Sequence, residues 1–291
     1  MGIAALPAAV HIGFRAPRIR ETGSPADHGL NFEEVSIPTV RGRTLFGWLL
    51  PAPDSGRTVV VLHGWGSNAE LMLPIAAPLR RAGLNVLLCD ARCHGNSDPD
   101  TFASLPRFAE DLGKAIDWLR RQHPRRAARV AVLGHSVGAG AALFLASRRA
   151  DLSAVISIAA FAHPAEVTRR YLQRLRLPWP VTGLVIRYVE WLIGHRFETI
   201  APVNTVRHIR CPVVLVHGSH DQAVPIEDAR RIHGNRGSAR VRLIEIPGAG
   251  HDSVDRIERH VGELIAFLDD VCSVRTCPHA EGVPQAARQP P

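Results

Sequence analysis

Gly134-His135-Ser136-Val137-Gly138 lies between an apolar run at 129–133 and the small residues Ala139, Gly140, Ala141 and Ala142, which lead into a helical pattern ending near 149. A strand that turns directly into a helix is predicted here. In that setting Gly-x-Ser-x-Gly makes a strained turn that lifts a serine hydroxyl clear of the sheet, and its glycines are needed because a Cβ would collide with neighbouring backbone. Ser136 is the candidate nucleophile.

The same alternation extends outward from this turn. The runs 58–62, 85–89, 154–158, 213–216 and 242–246 are too uniformly apolar for half-exposed strands and read as buried parallel ones. Residues 31–39 and 44–51 read as two more strands, joined at Arg41-Gly42-Arg43 in a hairpin. Helical spacing occupies 71–81, 108–121, 139–149, 227–233 and 256–268, the last with a stripe of Ile257, Val261, Leu264, Ile265 and Leu268. The expected fold class is α/β, a mostly parallel twisted sheet of about eight strands with helices on both faces. In such sheets chemistry gathers at the carboxyl ends of the strands.

The region 163–207 breaks the rhythm, with helical patches at 171–177 and 183–193 in place of a single crossover. It is expected to be an inserted helical cap within one domain spanning 28–271. Arg187 and Glu190 interrupt an apolar run already too short to span a membrane. Residues 1–27 and the Pro-, Gln- and Ala-rich tail 272–291 lack periodicity and are expected to be loosely held.

A chain of 291 residues with 46% hydrophobic residues has enough material for one globular domain with a large core. The net charge of +8 raises nucleic acid or an anionic membrane as partners. Lys114 is the only lysine, and the arginines are scattered without a block, so no nucleic-acid partner is expected; peripheral membrane contact stays open. Of the five cysteines, Cys89 and Cys211 fall in or beside apolar strands, as reduced buried thiols do. Cys272 and Cys277 have no second ligand pair nearby, so no metal is expected. The first residues lack a basic stretch before their short apolar run, which argues against a secretory leader and makes the cytoplasm the expected location. Oligomeric state leaves no trace in the sequence.

A serine hydroxyl is a weak nucleophile at neutral pH and needs a base, which in turn needs an orienting group. His251, in Pro247-Gly248-Ala249-Gly250-His251, follows the strand at 242–246, and Asp221 follows the strand at 213–216. Glu166, the other acid that could serve, lies some distance beyond its strand. The loop His63-Gly64-Trp65-Gly66 follows the strand at 58–62 and offers the Trp65 backbone N–H as an oxyanion donor beside that of Val137. His63 and His135 read as histidines that hold their loops by hydrogen bonds. Trp65, His135, Trp179, Leu184 and Trp191 are candidate pocket residues, those of the cap serving either substrate or cap-to-core packing.

From about residue 31 to 270 the chain resembles the α/β-hydrolase superfamily, in the style of small bacterial carboxylesterases and serine aminopeptidase-like hydrolases. The motifs that carry this are His63-Gly64-Trp65-Gly66, Asp90-Ala91-Arg92-Cys93-His94-Gly95-Asn96-Ser97, Gly134-His135-Ser136-Val137-Gly138, Gly218-Ser219-His220-Asp221 and Gly250-His251, with the order Ser, Asp, His. The resemblance implies a serine hydrolase that cleaves a carboxylic ester or related small acyl substrate through an acyl-enzyme, with no cofactor. Thioester, C–C bond or peptide hydrolysis, acyl transfer and perhydrolysis use the same triad, and a non-catalytic ligand-binding protein could share the fold. Cys93 stands where the superfamily motif has its first glycine. Ala139 stands where the peptidase branch often has another glycine, which disfavours a peptidase. A serine rather than an aspartate at 136 disfavours the dehalogenase and epoxide-hydrolase branches.

Overall fold

In the computed structural model, which describes residues 8, 10–12, 14–176, 178–252 and 259–273, eight strands form one sheet in the order β1-β2-β4-β3-β5-β6-β7-β8. They are β1 (Glu33–Pro38), β2 (Thr44–Leu50), β3 (Arg57–Leu62), β4 (Asn85–Cys89), β5 (Arg129–His135), β6 (Ala154–Ile158), β7 (Val213–Gly218) and β8 (Val241–Ile246). β1 and β2 form the expected antiparallel hairpin, β2 runs antiparallel to β4, and all remaining pairings are parallel. The expected α/β architecture is the one observed.

Alternation within each apolar run decides which face a residue joins. Val60 and Leu62 of β3 enter one core and Val59 and Val61 the other; Val130 and Val132 of β5 are parted from Ala131 and Leu133 in the same way. Each face is covered by helices, which is why these strands are apolar at every position.

The helices are α1 (Leu73–Arg81), α2 (Leu105–Gln122), α3 (Val137–Ala146), α4 (Pro164–Arg174), α5 (Trp179–Ile193), α6 (Phe197–Ile200), α7 (Pro202–Thr205), α8 (Ile226–Gly234) and α9 (Val261–Ser273). Leu105 to Leu119 of α2 and Ala139 to Ala146 of α3 pack on one face, and Leu73 to Leu79 of α1 with Leu264 and Leu268 of α9 on the other. α2 begins before the expected residue 108 because the Ser104 side chain accepts the Arg107 N–H and a proline suits the first turn. Of the helix expected over 256–268, residues 256–258, with Ile257 of its stripe, lie outside the described residues.

The helical region expected between β6 and β7 is α4 to α7. α4 starts earlier than the patch at 171–177 suggested, since the His163 ring accepts the Ala165 N–H at 3.2 Å and Pro164 occupies the first turn. Residues 17–22 lie across the loops that follow β3 and β4. Arg18 Nε donates to the Gly95 carbonyl at 3.0 Å, Asn68 Nδ2 to the Ile19 carbonyl at 3.2 Å, and the Thr22 N–H to Glu70 at 2.7 Å. Val10 and Phe14 pack against α4 and α5. Cys272 is in the last turn of α9, and Cys277 and most of the tail lie outside the described residues. Among the described residues no helix is long and apolar enough to cross a membrane.

Candidate active site

Ser136 joins β5 to α3 with φ 53° and ψ −115°, a conformation that L-residues rarely adopt. Its N–H donates to the Ile158 carbonyl at 2.8 Å, fastening the turn to the end of β6. Both glycines of the motif are sterically required. A Cβ on Gly134 would strike the Gly138 carbonyl, and one on Gly138 would strike the carbonyls of Leu62 and His63. The turn is therefore wedged between its own helix and β3.

The loops carrying Asp221 and His251 leave the ends of β7 and β8, as expected. They are tied to each other: the His220 N–H donates to the Ala249 carbonyl at 2.9 Å and the Gly248 N–H to Ser219 Oγ at 2.9 Å. This places His251 Nδ1 2.7 Å from Asp221 Oδ2 and His251 Nε2 3.0 Å from Ser136 Oγ. Asp221 Oδ1 accepts the N–H groups of Ala223 at 2.9 Å and Val224 at 2.7 Å. Burial disfavours the Asp221 carboxylate, but hydrogen bonds from His217, His251 and Val224 outweigh it and hold the carboxyl well below its usual range. Glu166, the other candidate acid, is occupied elsewhere, in a paired contact with Arg231 at 2.7 and 2.9 Å.

Two histidines brace the site from behind. His135 Nε2 donates to the His251 carbonyl at 3.0 Å, and burial, then the nearby His251, push its pKa down to about 4. His63 accepts the Ala91 N–H on Nε2 at 3.0 Å, so its proton sits on Nδ1 and is donated to the Gly64 carbonyl at 2.7 Å. Burial, then His94, push its pKa down to about 3. Because the peptide is planar and trans, a Gly64 carbonyl held toward His63 turns the Trp65 N–H to the opposite side. A Cβ on Gly64 would lie 3.1 Å from Ser136 Cβ, so this loop runs directly against the serine. Among the described residues neither the Trp65 nor the Val137 N–H has a hydrogen-bond partner, and Val137 is the first residue of α3, where helical N–H groups are free.

The loop after β4 supports this arrangement. Arg92 is buried and its Nε lies 2.8 Å from Asp111 Oδ1. Cys93, in the place of the superfamily glycine, takes φ 68°, and its Sγ accepts the Asp100 N–H at 3.1 Å. The side chain thus supplies a local bond at a backbone geometry that favours glycine.

The candidate pocket residues separate. The Trp65 ring stacks on Phe108 with centroids 6.4 Å apart, and His135 is buried behind His251. Trp179, Leu184 and Trp191 all lie on α5 and are exposed. Sequence reasoning missed His217, buried with Nε2 donating to the Val224 carbonyl at 2.8 Å and 3.5 Å from Asp221 Oδ2. Its place at the end of β7, on the strand that leads to the acid, was the available signal. Among the described residues one group could offer three metal ligands, His135, His251 and Asp252, with ligand atoms within 4.8 Å of one another. Both histidines are already engaged as described.

The family model for serine aminopeptidase, S33, matches residues 53–205, more than half of the chain. An uncharacterized Mycobacterium tuberculosis protein is 29% identical over 231 residues, covering 78% of this chain and 75% of its own. A monoacylglycerol lipase of Mycolicibacterium smegmatis is 27% identical over 274 residues, covering 82% of this chain and 95% of its own. The structure of a Pyrococcus furiosus esterase superposes with a TM-score of 0.72 at 23% identity, covering 88% of this chain and 98% of that one, and so shares the fold.

Proposed function

The chain belongs to the serine aminopeptidase S33 family of α/β-hydrolases, and from that premise we propose that it is a serine hydrolase acting on a carboxylic ester. One observation carries the reading: the continuous path from Asp221 through His251 to Ser136, with links of 2.7 and 3.0 Å. The ionised Asp221 accepts a hydrogen bond from His251 Nδ1–H without taking its proton, which fixes the tautomer and leaves the Nε2 lone pair facing the serine hydroxyl. His251 takes the Ser136 proton as Oγ attacks the substrate carbonyl. The Trp65 and Val137 N–H groups receive the developing oxyanion, each such donor contributing roughly 3 kcal/mol. Protonated His251 then delivers its proton to the leaving alcohol, an acyl-enzyme forms on Ser136, and water activated by the same histidine releases the acid.

Similarity to a monoacylglycerol lipase along most of both chains supports an acyl ester as substrate. Ala139, where the peptidase branch often carries glycine, favours an ester over a peptide. The test is turnover of p-nitrophenyl esters over a series of acyl lengths, together with fluorophosphonate labelling. The wild-type protein is expected to hydrolyse the esters and to be labelled, and Ser136→Ala to do neither. Turnover retained in Ser136→Ala would overturn the mechanism.

A further inference from the structure

Helix α5 carries an outward face that no surrounding water explains. Trp179 is 85% exposed, Leu184 60% and Trp191 74%, and Leu175 just before the helix is 54% exposed. Leu184, Arg187 and Trp191 stand at i, i+3 and i+7, so they form one stripe. The opposite face is already filled, with Val185 buried against Val10 and Leu172. Large exposed apolar residues gathered on one helix mark a surface meant to be covered.

Charge identifies the cover. The acids of the insertion are committed: Glu166 to Arg231, Glu190 to the Phe197 N–H, and Glu198 to His163 and Asn204. Arg174, Arg176 and Arg187 are exposed and have no acidic partner among the described residues. Tryptophan settles at the headgroup level of a bilayer, and arginine beside it pairs with anionic lipid phosphates. A second copy of the chain would instead set these arginines against one another. We propose that the stripe of α5 bearing Leu184 and Trp191, flanked by Trp179 at the first residue of the helix and with Arg174, Arg176 and Arg187 on phosphates, docks the protein on an anionic membrane surface.

The helix would lie in the interface plane, its apolar residues reaching the upper acyl chains. The insertion that carries α5 leaves the sheet at the end of β6, whose Ile158 carbonyl holds the Ser136 N–H. The proposal does not depend on the catalytic reading, because binding needs no turnover.

Co-sedimentation of the full chain with vesicles tests it. Wild type is expected to sediment with vesicles of equal parts phosphatidylcholine and phosphatidylglycerol, weakly with phosphatidylcholine alone, and less as salt rises. Trp179→Ala with Trp191→Ala lowers the partition coefficient about tenfold on the anionic vesicles. Arg174→Gln with Arg176→Gln and Arg187→Gln lowers it about tenfold there and little on neutral ones. All these positions are exposed, so far-ultraviolet circular dichroism and the urea midpoint stay at wild-type values. The proposal is overturned if wild type stays in the supernatant with anionic vesicles, or if both variants bind as wild type does. It is equally overturned if sedimentation velocity shows a dimer that Leu184→Arg breaks, which would make a second copy the occupant. Loss of ester turnover alone would count against the catalytic reading and leave this one standing.

Discussion

His135 Nε2 donates a hydrogen bond to the backbone carbonyl of His251 at 3.0 Å, linking the residue before the candidate nucleophile to its candidate base. The bond spans the elbow after β5 and the loop after β8, so it sets the height of the imidazole over Ser136. A shift of a fraction of an ångström at His251 lengthens the 3.0 Å contact on which the proposed proton transfer depends.

His135→Ala is therefore expected to lower kcat on a p-nitrophenyl ester by on the order of tenfold with KM little changed, since substrate contacts remain while the base is less well placed. His135→Gln, which keeps a donor near the same point, recovers part of the loss. Steady-state kinetics of the two variants decide this: equal losses would mean that the ring is needed for packing rather than for its bond.

Asp221→Asn presents an amide where His251 Nδ1–H needs an acceptor and stabilises the wrong tautomer. The expected fall in kcat is about 10⁴-fold. Glu166→Gln, whose acid is tied to Arg231, leaves kcat near the wild-type value. Comparable losses in both variants would remove Asp221 from its assigned place.

Acid should weaken the fold through the two bracing histidines. Their folded pKa values, about 3 for His63 and about 4 for His135, lie below the ordinary 6.5 because both rings are buried. The unfolded chain thus binds more protons as the pH falls below 6.5. Stability is full above that point and declines toward pH 4 by ~1.4 kcal/mol per pH unit for each histidine. Urea denaturation across this range measures the slope, and His135→Gln should flatten it by one proton's worth. An unchanged slope would show that His135 is protonated in the folded protein.

Backbone strain at the elbow can be read from two variants that both lack the hydroxyl. With φ 53° and ψ −115°, the site tolerates glycine and resists any Cβ. Ser136→Gly is expected to be more stable than Ser136→Ala by ~1 kcal/mol, although glycine is more costly to order in most settings. Equal or reversed urea midpoints would refute the strain.

Gly138→Ala drives a Cβ into the backbone carbonyls of Leu62, the last residue of β3, and of His63, and backbone cannot swing aside as a flexible side chain can. A loss of about 3 kcal/mol or more is expected. Gly183, inside α5, has nothing within 4 Å of an added Cβ, so Gly183→Ala should raise stability by ~0.5–1 kcal/mol through helix propensity. Thermal or urea unfolding of the pair checks both signs.

Much of this architecture is readable from residue order because the relevant forces are local. Period-2 placement of Val59 to Leu62 and the small residues after Ser136 define a buried strand and a tightly packed helix without reference to distant parts. The candidate residues Ser136, Asp221 and His251 were visible as polar groups just beyond apolar strands. Their bracing was harder to see. His217 looks like an ordinary strand-end histidine until the loop after β7 brings Val224 beside it, and the reach of His63 to the Ala91 N–H depends on the pairing of β3 with β4. The segment 17–22 has no periodicity, yet side chains and carbonyls of two distant loops hold it.

Strand, elbow and order of polar residues follow from patterns a few residues long, since the alternation of a pleated strand and the steric demand of a glycine turn are properties of neighbours. The 3.0 Å contact between Ser136 and His251 joins residues 115 apart and exists because β5, β6, β7 and β8 lie in parallel register with their ends aligned. Which side of α5 remains uncovered is likewise outside the reach of its own sequence. Trp191 and Val185 are both apolar, and only the packing of Val10 and Leu172 under one of them decides which is buried and which faces outward.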